Sequence, residues 1–212
     1  MLSLSLLTIL KIIHLIGLIM GLGGAILADT TIFTRGVIRP VSAYTIYQAK
    51  FLSHVVSVGL AILWISGGAL IWANTLVHPE YLTNQKLWAK IAIVLVLTVN
   101  GVLVHKLVLP LLKKSIGQRL FDHTSAKQVL GMTLLGSISL VSWTVPFILG
   151  KASELNYVTP MLNILAVYAC SLLIVWLSMF TVMSTIRKIQ DYILRAAHLT
   201  MQSSANWERM RA

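Results

Sequence analysis

His54 and His105 are the residues in this chain best suited to hold a metal-centred cofactor. Each lies within a long apolar run, His54 four residues after Lys50 and His105 five residues before Pro110. At the α-helical rise of 1.5 Å per residue, each falls about 6–8 Å inside its helix end. The two therefore share one layer. Imidazole suits iron, and bundle cores ligate haem from facing helices, so this pair reads as axial ligation of a b-type haem. The spacing behind each histidine fits: Gly101, Thr98 and Val94 on one side, Ser57, Val58, Ala61 and Gly68 on the other. Small residues let a flat macrocycle approach the backbone, and equally let two helices pack closely. The competing reading is a histidine hydrogen-bonded at a helix interface.

A second polar layer lies about 20 Å away along the first apolar run. His14 sits one turn after Lys11, and Lys90 enters the third apolar run at the same depth. A histidine among lysines is electropositive, which suits a carboxylate, a quinone oxygen or a haem propionate. Alternatively both lysines snorkel to headgroups while His14 bonds a carbonyl. His78, His123 and His198 fall in connections or the tail. The six acidic residues are read as loop or tail residues, which leaves no carboxylate pair for acid–base hydrolysis within the apolar runs. Met179 and Met183, one turn apart, are read as packing; a soft-metal site would require more sulfur ligands.

These side chains must be positioned by helices in lipid. Hydrophobic residues make up 57% of the 212 and charged residues 11%, less than half the roughly 25% of a soluble domain. Five segments reach the ~20 apolar residues needed to cross a bilayer: Leu4 to Ala28, Phe51 to Ala73, Leu87 to Leu109, Val129 to Leu149, and Met161 to Ile186. The fold class expected is all-α, an integral membrane bundle over residues 1–186, followed by a basic tail, 187–212. That tail either extends the fifth helix or lies along the membrane surface. Helices two and three, joined by a short connection, are expected to pack antiparallel. Pro146 is expected to kink the fourth span. The first run lacks a basic n-region and a small-residue cleavage site, and is read as retained.

Charge sets the expected orientation. The connections holding Arg35, Arg39 and Lys50, and Lys106, Lys113, Lys114, Arg119 and Lys127, are basic, as is the tail; those around Pro79 and Ser153 are nearly neutral. Because positive charge stays in the cytoplasm, the N-terminus is expected outside and the C-terminus inside, in a bacterial inner membrane. The net charge of +11 follows from topology and attraction to anionic headgroups, without nucleic acid. The single cysteine, Cys170, excludes an internal disulfide framework.

Leu10-Lys11-Ile12-Ile13-His14 resembles the Leu-Lys-x-x-His opening of the HemJ-type protoporphyrinogen oxidases, which share a membrane superfamily with the CopD copper-resistance proteins. Leu87-Trp88-Ala89-Lys90-Ile91 resembles that family's third-span entry. The resemblance covers spans one to three. Where the family continues to Tyr-His-Gly, this chain reads Val99-Asn100-Gly101, with His105 one turn further on. The resemblance implies a haem-associated helical bundle with His14 and Lys90 at functional positions.

The expectation is a membrane redox protein that binds haem b through His54 and His105 and passes electrons, with quinone as a candidate substrate at His14 and Lys90. Enzyme activity would then be the cofactor's own redox chemistry. Two rivals predict no visible spectrum: a transporter for copper or a small metabolite, and a cofactor-free structural subunit of an oligomer or membrane complex.

Overall fold

The computed structural model describes residues 2–120 and 124–211, with side chains described for 6–120 and 124–193; His123 and the His198 side chain fall outside the described residues. Helices α1 (Leu2–Ile32), α2 (Ala43–Val77), α3 (Gln85–Leu103), α4 (Leu109–Lys114), α5 (Ala126–Lys151) and α6 (Met161–Arg211) build the chain. No strand occurs among the described residues. Five helical spans are long and apolar enough to cross a bilayer, and large apolar side chains such as Ile19, Ile65, Leu162 and Ile174 cover their outer faces. In water such a surface would aggregate; in lipid it is the satisfied state. The protein is a multi-pass, all-helical membrane protein.

Several helices overrun the apolar runs, because nothing in the flanking sequence stops them. α1 continues through Ala28 and Asp29, then as a π-helix over Phe33–Ile38, and ends at Arg39 in extended conformation. Pro40 imposes that ending, since the residue before proline is excluded from the α region. This corrects the placement of Asp29: it lies on a continuous helix within the first span rather than in a loop. α2 then starts at Ser42, whose hydroxyl accepts from the Thr45 N–H at 3.1 Å in a capping box. α5 starts with the same device at Ser125 and Gln128, and runs unbroken through Pro146. α6 has 51 residues, about 75 Å of helix. Only about 30 Å of that fits the hydrocarbon, so the tail is an extension of the fifth span.

Glycines let α1 and α2 approach most closely. A Cβ on Gly59 would lie 2.6 Å from the Gly21 nitrogen and 2.8 Å from the Gly17 oxygen, and one on Gly24 would meet Val56. α5 packs on α1, α3 and α6. α2 and α3 run antiparallel, as their sequence adjacency predicts, but with their backbones farther apart than those of α1 and α2. They are bridged by side chains: Trp64 Nε1 donates to Thr98 Oγ1 at 3.0 Å, and Ser53 Oγ lies 2.8 Å from His105 Nε2. The space between them is given to two chambers.

Both ends are tied off. At the basic end, Val41 donates to the Gln118 carbonyl and accepts from Gly117, Leu120 donates to the Gly36 carbonyl, and Val37, Val41, Leu112 and Leu120 form a buried cap. At the other end, buried Asn84 caps α3 by accepting from the Lys86 N–H at 3.1 Å, and its amide reaches Asn156. Its carbonyl oxygen also takes the N–H of Tyr157, held at φ 59°. Lys86 Nζ donates to the Ala152 carbonyl at 2.8 Å. Asn84→Ala therefore strands several groups at once. We expect it to lower stability by about 1–3 kcal/mol, read as thermal unfolding in detergent, with Asn156→Ala costing less.

Candidate functional site

The two chambers lie end to end along the bundle. One, of about 470 Å³, is lined by Lys11, His14, Trp64, Tyr81 and Lys90 among others. The other, of about 520 Å³, is lined by Asp29, Phe33, Ser53, Asn100 and His105 among others. Both volumes suit small-molecule ligands. Leu97 and Trp143 are common to both linings, and form the septum between them. Trp143 is 1% exposed, and its ring lies over Gly21, where a Cβ would run into it. Glycine on α1 is thus what lets a tryptophan from α5 reach across the core.

In the first chamber, His14 Nδ1 lies 2.9 Å from Ser66 Oγ. Ser66 also contacts the Ile62 carbonyl one turn back, and its single proton goes there, because a carbonyl can only accept. The serine oxygen must then accept from His14, so Nδ1 carries the imidazole proton. Nε2 is left with its lone pair and no protein partner among the described residues. A ring held at Nδ1 with a bare Nε2 is the arrangement of a ligating or proton-accepting histidine. Lys11 and Lys90 bring ammonium groups to the same chamber, and Gly67 leaves room beside the ring. Tyr81 stands in the connection at this end, where burial and then the neighbouring Tyr157 raise its phenol above the usual range. It remains a neutral hydrogen-bond donor at physiological pH.

The second layer is arranged differently. His105 Nδ1 donates to the Gly101 carbonyl at 2.8 Å, and its Nε2 is met by the Ser53 hydroxyl. The ring is thus hydrogen-bonded on both sides. The residue of α2 that faces it is Ser53. His54 is the next residue round the helix, exposed, and lines neither chamber. Ligation of one iron by both histidines would require breaking the Ser53–His105 bond and rotating His54 by about 100°, one residue of helical turn. Among the described residues, no group of three or more histidine, cysteine or acidic side chains is placed to hold a metal ion.

Lys11, His14 and Lys90 thus line one chamber, His105 lines the other, and His54 lines neither. Ser66 and Trp143 were missed in the sequence; a serine 52 residues from its histidine and a tryptophan among six carry no local signal. Comparison with protein-family models, with curated proteins and with solved structures gives no match.

Proposed function

We propose that this protein is a redox protein of the bacterial inner membrane, and that the His14 chamber holds a flat, conjugated electron carrier bearing oxygen on its edge, either b-type haem or a quinone. The observation that carries the reading is His14 itself: an imidazole locked by Ser66 with Nε2 bare in an apolar chamber beside Lys90. For haem, the donor set fits: one imidazole lone pair for iron, and ammonium groups on Lys11 and Lys90 for propionates. When bound, haem would supply one-electron transfer. For a quinol, the His14 Nε2 lone pair accepts a hydroxyl proton while Lys90 offsets negative charge on the oxygens. In either case Ser66 sets the tautomer, and the septum excludes water from the far side. The resemblance of spans one to three to HemJ-type oxidases, at His14 and Lys90, supports the same chamber. With the basic end in the cytoplasm, where anionic headgroups meet it, the N-terminus is outside and the chamber opens outward.

The test is an absorption spectrum of protein purified from haem-replete cells, oxidised and then dithionite-reduced, alongside titration with a short-chain ubiquinone analogue. A Soret and reduced α-band lost in His14→Ala, and shifted in Ser66→Ala, establish haem at His14. A colourless protein that binds the quinone analogue at least ~10-fold more weakly after His14→Ala or Lys90→Ala, more than 1.4 kcal/mol, establishes the quinone. Bands lost instead in His54→Ala and His105→Ala move the haem to the other layer and overturn this assignment. So does a protein that shows neither property.

A further inference from the structure

We infer that the Asp29 chamber is a second binding site, and that it takes an organic monocation with an apolar body. Asp29 lines the chamber, and no lysine or arginine does. Among the described residues, no cationic side chain lies within ion-pair distance of it. An acidic residue within a membrane span reads by default as functional, with a partner to be named, and the described residues supply none. His105, the other titratable group on the lining, is occupied by Ser53 and Gly101 and does not compete for that role.

The remaining wall selects the ligand class. An inorganic cation requires several ligands, and among the described residues no group of three or more histidine, cysteine or acidic side chains is placed to hold one. Besides scattered serine and threonine hydroxyls, the chamber's lining is apolar and adaptable, with the rings of Phe33 and Trp143 and the thioethers of Met132, Met179 and Met183. Aromatic rings attract organic cations, and thioethers conform to irregular apolar shapes. Two independent features mark the chamber as built for a ligand. Both π-helical segments found among the described residues, Phe33–Ile38 and Val104–Val108, border it, and such segments concentrate at functional sites. Asn100 Oδ1 and Trp143 Nε1, on residues of the same lining, are buried without hydrogen-bond partners. The opposite charge of the His14 chamber, with Lys11 and Lys90, means that one ligand is not shared across the septum.

Tetraphenylphosphonium is the probe, titrated against the full-length protein in detergent at about pH 8, where an accessible carboxylate is ionised. Binding in the micromolar range is expected, weakened at least ~10-fold in Asp29→Asn and retained in Asp29→Glu. Tetraphenylborate, of the same shape and opposite charge, should show no dependence on Asp29. Should Asp29→Asn fail to fold, wild-type protein is labelled with dicyclohexylcarbodiimide, which reacts with carboxyl groups in apolar surroundings. Tetraphenylphosphonium should protect Asp29 from labelling by mass spectrometry, and tetraphenylborate should not. Equal affinity for the phosphonium in wild type and Asp29→Asn, or no protection of Asp29, overturns the assignment. Neither outcome bears on haem or quinone at His14.

Discussion

Gly59→Val should separate α1 from α2 and sharply lower the stability of the bundle. Even the first added carbon, the Cβ, would stand 2.6 Å from the Gly21 nitrogen and 2.8 Å from the Gly17 oxygen. Both are backbone atoms, so no rotamer change relieves the clash and the helices themselves must move. Overpacking costs about 1–3 kcal/mol when side chains can give way, and a backbone clash places this variant at or above the top of that range. In lipid the loss is felt fully, since helix association rests on close van der Waals packing rather than on exclusion of water. The control is internal. Gly68→Ala and Gly101→Ala add a Cβ where nothing lies within 4 Å, and alanine is favoured over glycine within a helix by about 0.8–1.0 kcal/mol. Thermal unfolding in detergent should therefore fall sharply for Gly59→Val and hold or rise for the other two. Equal losses in all three would mean that the α1–α2 contact does not set stability.

Trp143→Ala should remove the septum. Truncating a buried tryptophan costs about 3–5 kcal/mol, and here the ring is all but fully buried between α5 and Gly21. The two chambers would become one continuous cavity. Trp143→Phe separates the ring's two attributes. Phenylalanine keeps an aromatic plug but lacks the indole N–H, which has no hydrogen-bond partner among the described residues. Removing a buried unpaired donor recovers about 1–3 kcal/mol, which offsets much of the lost ring contact. Trp143→Phe should thus unfold close to wild type while Trp143→Ala unfolds far below it. If phenylalanine proves as damaging as alanine, the N–H is engaged by a ligand, and the septum is part of a binding site.

How much of this was legible in the chain depends on the coordinate concerned. Depth along a helix is counted in residues at 1.5 Å each, so five spans and the common level of His14 and Lys90 could be read directly. So could the pairing of basic connections at one end. Rotation about a helix axis is another matter. It differs by 100° between neighbours in sequence, and is settled by contacts with other helices. Ser53 rather than His54 meets His105 because of how α2 is turned, and α2 is turned by Gly59 seating on Gly17 and Gly21. No count along the sequence contains that information. Asp29 was misplaced for a related reason: apolarity ends near Ala28, but helical geometry persists until Pro40 stops it at Arg39.

The chain by itself determined that this is a helical membrane protein with a cationic layer at His14. Composition decides which solvent a surface tolerates, and periodic rise decides depth. Only the tertiary structure decided what those layers enclose. Two chambers exist because side-chain bridges join α2 and α3 across a gap, and they are two because a tryptophan reaches over a glycine to divide them. Such arrangements depend on residues far apart in sequence meeting at matching heights and angles, which packing fixes and no single segment encodes.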